Sequence, residues 1–335
     1  MDEPVRDDVL DERIHRADLD DLVRLVDDRT ASRDWPGLLR TRDRCAAAVA
    51  TGRQLWPVAT LAEYRLALWA PDEWCARVLD EESGRFTIGP LSEVAAMHHT
   101  WTGLSRLIGD GPTATYVAHE RALRGEEIPD DDLARLAPVI DIPASLASWE
   151  PSYALARYDD EGVHIDRPMP PVTLTDVTLP AVDTAKRVDD DDTALAFGQL
   201  LETWTERSNG RAEAICVEGD HLDAIAHLGP QSARLAEITT GDAIGLLAWA
   251  GASGGAHGRR RGAAIGRFGA WWLLAAITDL GEDWPPSPDA LGDAAGGLRW
   301  WAWDAHEPDG GWRVRLVASS VDDGLSWVFS ADDVE

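Results

Sequence analysis

The hydrophobic pattern of this chain changes near Ile140, and that change limits the fold more than any single motif does. Upstream, apolar residues recur every three or four positions, which is the spacing of amphipathic helices. Downstream, short alternating runs lie between turn sequences, a pattern typical of antiparallel strands. The sequence therefore predicts an α+β protein. We expect a helical domain at residues 1–140, packed on an α+β domain at residues 141–335 whose sheet is mostly antiparallel.

Two adjacent segments give the clearest helical pattern. Residues 35–50 and 55–69 both have helical periodicity, and Thr51-Gly52 interrupts the chain between them. Such an antiparallel helix pair is typical of one unit of an α-solenoid, although no second copy recurs at a fixed period. Further helices are predicted at residues 8–28, 71–79, 92–107 and 113–123, with a short strand at residues 85–88.

The second half carries the strand signals. Residues 152–158 and 163–167 flank a turn at 159–162 and predict a β-hairpin. Successive side chains alternate across a strand, so Trp301 and Trp303 should share a face while Trp300 lies on the other. Three strands form an antiparallel meander at the end of the chain, at residues 298–304, 312–320 and 325–330.

A glycine- and arginine-rich stretch at residues 251–277 has two interpretations. Gly258, Gly262 and Gly266 are spaced four apart, so on one helix they would share a face. Glycine inside a helix costs about 1 kcal/mol relative to alanine, so a compensating gain is expected. The first interpretation is close packing, in which the glycine row lets a neighbouring element approach the helix.

The second interpretation is an anion site at the N-terminus of that helix. Free backbone N–H groups there attract negative charge, and arginine can bind a phosphate or carboxylate through two hydrogen bonds. A histidine beside them could donate or accept a proton near neutral pH. The two interpretations are compatible. The candidate ligand-binding residues are Gly254, Gly255, His257, Gly258, Arg259, Arg260, Arg261 and Arg267.

Composition excludes some classes of function. The formal net charge is −29, the opposite of the usual balance in nucleic-acid-binding proteins and of what an anionic membrane surface attracts. The acidic first residues lack the apolar core of a signal peptide, and no apolar run reaches the length of a membrane span. The cysteines, Cys45, Cys75 and Cys216, are too far apart for a zinc knuckle and are expected to be reduced core thiols of a cytoplasmic protein.

No assembled catalytic or metal-binding set is visible in the sequence. His98 and His99 are adjacent, and neighbouring residues on a helix point about 100° apart, so the pair is poorly placed to share a metal ion. No metal is therefore predicted, and catalytic residues and cofactors stay unknown. Neither the phosphate-loop signature nor the dinucleotide-binding signature occurs around the glycines.

Three segments resemble an uncharacterised family of GC-rich actinobacteria. They are GASGGAHGRRRGAAIGRFGAWW, GRAEAICVEGD and RDWPGLLRTRDRC followed by LAEYRLALWAP, and the resemblance spans most of the chain. It implies an actinobacterial, cytoplasmic protein. The family is known only as a domain of unknown function, so the resemblance implies no activity and no catalytic residues.

Two hypotheses of function follow, and a third needs spatial information. The first is a soluble intracellular binding or scaffold protein without catalysis, which binds a protein partner through its helical half. The alternative is a protein or enzyme that binds a phosphate, a nucleotide or another small anion through residues 251–267. An acidic mimic of nucleic acid would need its carboxylates on one face, which sequence order does not reveal.

Overall fold

A computed structural model describes residues 7–79, 89–308 and 310–333, and the chain divides into two compact units. The first, called the helical unit, comprises Met1–Val139 and Ala156–His164. The second, called the sheet unit, comprises Ile140–Leu155 and Ile165–Glu335. The α+β class is confirmed, because helices dominate the N-terminal half and a seven-stranded antiparallel sheet lies in the C-terminal half. The strand predicted at 85–88 lies outside the described residues.

Short helices and one small hairpin build the helical unit. The predicted helix pair is confirmed as α3 and α4, and the predicted hairpin is confirmed as the two-residue strands β1 and β2. The elements are α1 Asp7–Arg16, α2 Leu19–Ala31, α3 Trp35–Ala50, α4 Trp56–Trp69, α5 Asp72–Leu79, α6 Leu91–Ala95, α7 Trp101–Leu104, α8 Pro112–Leu123, α9 Asp130–Leu133, β1 Arg157–Tyr158 and β2 Val163–His164.

Two predicted helices in this unit are wrong, because each is divided in two. The predicted helix at 8–28 breaks at Ala17, whose φ of 52° ends α1, and the Asp18 carboxylate accepts the Asp21 N–H as the N-cap of α2. The predicted helix at 92–107 likewise breaks before Thr100, whose hydroxyl caps α7 by accepting the Gly103 N–H at 3.1 Å. In both cases a side-chain cap starts a new helix where apolar periodicity alone predicted continuation.

A seven-stranded antiparallel sheet organises the sheet unit, in the order β3-β6-β7-β8-β9-β5-β4. The predicted closing meander is confirmed as β7, β8 and β9. The elements are β3 Thr175–Thr178, β4 Lys186–Val188, α10 Asp191–Leu200, α11 Glu202–Glu206, β5 Arg211–Glu218, α12 His221–Ala226, β6 Ser232–Ile238, α13 Thr240–Ala252, α14 Ala263–Ile277, α15 Pro288–Gly296, β7 Leu298–Asp304, β8 Trp312–Ser320 and β9 Leu325–Asp333.

Helices cover both faces of this sheet. On one face Trp301 and Trp303 pack with the Ala224–Ala226 end of α12, and on the other Trp300 stacks on Phe329, which contacts Phe197 of α10. The predicted alternation of the three tryptophans is therefore confirmed, and all three are at most 5% exposed. Burial of such rings on both faces makes the sheet the centre of the core. No described helix is long and apolar enough to cross a membrane.

His221 predicts a measurable pH dependence of stability. Its ring stacks on Trp301 with centroids 4.1 Å apart, and burial, with a smaller contribution from Arg299, lowers the pKa of the imidazole below its ordinary 6.5 although nearby carboxylates, chiefly Asp220, oppose the shift. Protonation therefore favours the unfolded chain, so this residue makes the free energy of unfolding fall as pH drops from about 7.5 to 5.5. His221→Asn should reduce that dependence in urea titrations at the two pH values. An unchanged dependence would contradict this assignment.

Candidate functional site

The glycine row predicted on one helix face is wrong. The helix α14 begins at Ala263, so Gly258 lies in the preceding loop and Gly262 is the N-cap residue, with a φ of 100°. Only Gly266 and Gly269 of the stretch lie within this helix. The left-handed conformation at Gly262 is accessible to glycine at little cost, and it allows the loop to enter the helix.

At Gly266 the packing interpretation is supported directly. A methyl group at this position would overlap the Ala248 carbonyl oxygen and would lie 2.8 Å from both the Cβ and the backbone nitrogen of Ala252. Helices α13 and α14 thus approach backbone to backbone at this glycine. A closer approach increases dispersion contacts and offsets the poor helix propensity of glycine.

Arg267, one of the predicted ligand residues, is buried in an internal ion pair. Its Nε and Nη2 donate to the two carboxylate oxygens of Glu150 at 2.6 and 2.7 Å, and both side chains are at most 1% exposed. The guanidinium also donates to the carbonyl oxygens of Pro143 and Ser145, at 2.7 and 3.1 Å. Its hydrogen-bonding capacity is used in anchoring residues 143–150.

The Glu150 carboxylate is the centre of this network. It also accepts the Tyr153 hydroxyl at 2.6 Å and the Trp271 indole N–H at 3.0 Å. Burial alone would raise the pKa of Glu150, but the hydrogen bond and charge of Arg267 and the other donors outweigh it and lower that pKa. Glu150 is therefore ionised, as a buried pair with arginine requires.

The glycine loop before α14 does bind a carboxylate. That carboxylate is the side chain of Asp333, which belongs to the sheet unit, as the loop does. The Ala256 N–H donates to Asp333 Oδ2 at 2.6 Å, and the Ser208 hydroxyl donates to Asp333 Oδ1 at 2.9 Å. The His257 N–H in turn donates to Ser208 Oγ at 3.2 Å. Asp333 is only 4% exposed, so backbone donors of the predicted anion site hold a buried carboxylate from the end of β9.

The other predicted ligand residues lie in and after this loop. Gly254 and Gly258 approach each other closely, and Gly255 has a φ of 66°. Arg259, Arg260 and Arg261 precede α14 as loop residues, so Arg260 does not share a helix face with Arg267 as predicted. Arg261 donates to the Gln199 carbonyl at 3.2 Å. Anion binding by the predicted loop residues stays a prediction. The guanidinium of Arg267 does not contribute to it, because it is buried in the ion pair with Glu150.

A second candidate site lies in the helical unit and was not predicted. It is a groove of about 820 Å³, within the usual size range of ligand sites and called the tryptophan groove here. Arg65 and Trp69 lie four residues apart on α4 and therefore face the groove together. Its lining residues are Asp27, Thr30, Ala31, Arg33, Trp35, Arg65, Trp69, Pro71 and Asp160.

Arg65 lies in the floor of the tryptophan groove between two acids. It forms ion pairs with Asp160 and, at 3.4 Å, with Asp27. The arginine side chain is 9% exposed, whereas the side chains of Asp27 and Asp160 are 53% and 72% exposed. A carboxylate has about four acceptor positions, so these two can hold Arg65 and still bind a donor from solution.

The groove walls are fixed before any ligand arrives. The Tyr64 hydroxyl donates to the Asp159 carbonyl at 2.6 Å, which anchors the 159–162 turn to α4. The Trp69 indole N–H donates to Asp160 Oδ1 at 3.2 Å, and His98 stacks behind the Trp69 ring at 4.9 Å. Such preorganisation lowers the entropy lost on binding.

The cysteine thiols are poorly suited to nucleophilic chemistry. Burial raises the pKa of the Cys45 thiol to about 11 and that of the Cys216 thiol to about 12, so neither thiolate is populated near neutral pH. Burial also raises the pKa of Cys75 strongly. Within the ranges described above, no group of three or more His, Cys, Asp or Glu residues is arranged to hold a metal ion.

Comparison with known proteins identifies the family of the chain. Residues 20–335 match the family model DUF6183, which is described as a family of unknown function. The chain belongs to the DUF6183 family. The predicted resemblance to an uncharacterised family is thereby confirmed, and it covers both units. No curated protein and no solved structure matches the chain. The family carries no assigned activity, so membership assigns none to this chain.

Sequence patterns could not reveal the tryptophan groove, because its residues come from distant segments. Asp27, Arg65 and Asp160 are brought together only by the tertiary fold. The sequence does offer one weak signal, which is a tryptophan at the start of α3 and another at the end of α4, the two helices of the predicted pair.

Proposed function

We propose that this protein is a cytoplasmic binding protein without catalysis, and that its tryptophan groove holds a basic segment of a partner protein. The observation that carries the proposal is the pairing of two exposed carboxylates, Asp27 and Asp160, with the rings of Trp35 and Trp69. Carboxylates attract lysine and arginine, and a tryptophan face adds a cation–π contribution of about 0.5–1 kcal/mol at an exposed site.

The charge of the whole chain supports the same class of partner. A net charge of −29 attracts a basic segment and raises its rate of encounter with the groove. Tryptophan and arginine are also the residues most enriched among those that dominate binding energy at protein interfaces. Arg33, which is exposed at the groove, supplies donors for the backbone carbonyls of the bound segment.

The backbone of Arg33 is a second observation in favour of binding. This residue has a φ of 58° at the end of α2, where the Asp34 N–H donates to the Arg29 carbonyl at 2.9 Å. Glycine is the usual residue at such a position, and the left-handed conformation costs about 1–2 kcal/mol for other residues. Strain of this kind at a groove supports a role for the side chain in function.

A peptide array tests the proposal. Its peptides have the same apolar content, and their net charge varies from negative to positive. We expect the wild type to select basic peptides. Trp69→Ala should weaken that binding about 10-fold or more, since tryptophan is among the residues that contribute most to binding energy at interfaces and 41% of Trp69 is exposed to a partner. Asp160→Asn should weaken it as well, and added salt should weaken the wild type more than this variant.

Two variants outside the groove provide the controls. Trp74→Ala removes a partly buried tryptophan of α5, and Asp131→Asn removes an exposed acid of α9. Both should bind the selected peptides as the wild type does. Binding without a preference for basic peptides, or equal losses in groove and control variants, would overturn the proposal.

A further inference from the structure

Two neighbouring strands of the sheet unit separate at one end. The pairing of β7 with β8 stops at Ala302 and Leu316, although β7 continues to Asp304 and β8 begins four residues earlier, at Trp312. Over the same residues β7 remains paired with β6, where Arg234 lies opposite Asp304. A cavity of about 80 Å³ lies at this opening.

Three arginines line this cavity. Arg313 and Arg315 lie two residues apart on β8 and so project from the same face, and Arg167 comes from the segment before β3. The remaining charged lining residue is Asp304, which already accepts two hydrogen bonds from Arg234, at 2.9 and 2.8 Å, and one from the His306 N–H at 2.9 Å. The negative charge of Asp304 is therefore balanced by Arg234, which does not line the cavity.

Arg315 is held rigidly at the cavity wall. It is 9% exposed, donates to the Ala331 carbonyl at 2.9 Å and to Glu307 Oε1 at 2.9 Å, and lies 3.5 Å from Asp332 Oδ2. Its guanidinium also lies 5.6 Å from the centre of the Trp303 ring. A guanidinium fixed in this way can bind an anion with little further loss of side-chain freedom.

Arg313 retains unused hydrogen-bonding capacity. Its Nη1 donates to the Pro308 carbonyl at 2.9 Å, while its Nε is buried and has no hydrogen-bond partner among the described residues. Glu307 Oε2 lies 3.8 Å from that Nε, beyond hydrogen-bonding distance, and is likewise buried without a hydrogen-bond partner among the described residues. A buried donor left without an acceptor costs about 1–3 kcal/mol, and an anion in the cavity would remove that cost.

We infer that this cavity is a binding site for a single phosphate group, either free inorganic phosphate or the phosphate of a small monoester. A water occupies about 30 Å³ in the liquid, so the cavity has room for two or three waters or for one tetrahedral oxyanion, and a nucleotide does not fit inside it. Arginine clusters recognise such oxyanions through charge-assisted hydrogen bonds. The site lies in the sheet unit and is independent of the proposed peptide groove.

Isothermal titration with inorganic phosphate, at constant ionic strength set by chloride, tests the inference. Arg313→Gln should weaken phosphate binding about 10-fold or more, because it removes a charged donor at the cavity. Arg167→Gln is the second variant and should weaken it similarly. The control is Arg299→Gln, which removes an exposed arginine of β7 that is paired with Glu237 outside the cavity, and should bind like the wild type.

A small phosphate monoester separates the two sources of the phosphate group. Tighter binding of the monoester than of phosphate indicates an attached phosphate, and weaker binding indicates the free anion; either supports the site if the cavity variants lose it. Absence of phosphate and monoester binding by the folded wild type would overturn the inference. So would equal binding by the wild type, both cavity variants and the control, since that outcome is a general salt effect.

Discussion

Replacing Arg267 with methionine is expected to lower the free energy of unfolding of the sheet unit by about 3–5 kcal/mol. The substitution leaves the Glu150 carboxylate buried without its main counter-charge, although the Tyr153 hydroxyl and the Trp271 indole N–H still donate to it. Three backbone carbonyls of residues 143–145 lose their donor as well. Urea denaturation of the variant and the wild type measures the loss directly.

The chain offers a matched control for this variant. Arg299 makes the same two-bond contact with Glu237, at 3.0 and 2.9 Å, but both side chains are 53% exposed. Exposed pairs contribute about 0–1 kcal/mol, so Arg299→Met should change the free energy of unfolding by no more than that. Equal effects of the two substitutions would contradict the assignment of Arg267 to the core.

Gly266→Ala is expected to lower the free energy of unfolding by about 1–3 kcal/mol, the usual cost of overpacking. Helix propensity alone predicts the opposite sign, because alanine is favoured over glycine inside a helix by about 1 kcal/mol. The difference arises because the added methyl group overlaps the backbone of α13 at Ala248. Thermal or urea denaturation gives both the sign and the size of the change.

A second glycine, Gly198, allows the effect of helix propensity to be measured without the effect of packing. It lies inside α10, and a methyl group there would have no atom within 4 Å. We therefore expect Gly198→Ala to raise the free energy of unfolding by up to about 1 kcal/mol. If Gly266→Ala also stabilised the protein, close approach of α13 and α14 at this glycine would be ruled out.

Local signals in the sequence were sufficient to predict many of the helices and strands. Helix α3 has a proline in its first turn and an aspartate that caps it, and Gly52, with a φ of 95°, follows its end. The strands β7, β8 and β9 are short runs rich in tryptophan, phenylalanine and valine, and turn sequences separate them. These signals depend on neighbouring residues only, so a single sequence contains them.

The sequence did not predict the features that depend on contacts between residues far apart in the chain. Strand β6 contains Arg234 and Glu237, which pair with Asp304 and Arg299 of the neighbouring strand β7, and its own sequence has no strong strand pattern. The role of Arg267 likewise depends on Glu150, 117 residues away in the chain. Charge and spacing identified the arginines of residues 259–267, but only the fold reveals which carboxylates lie near them.

The central claim is that the tryptophan groove binds a basic side chain through Asp160. A double-mutant cycle tests it most directly, combining Asp160→Asn with replacement of the critical lysine or arginine in the strongest peptide by glutamine. We predict a coupling free energy of about 0.5–1 kcal/mol, the upper part of the range for charge pairs at exposed sites, because the Asp160 side chain is 72% exposed. Additive effects of the two changes, with a coupling near zero, would contradict it and would place the basic side chain elsewhere.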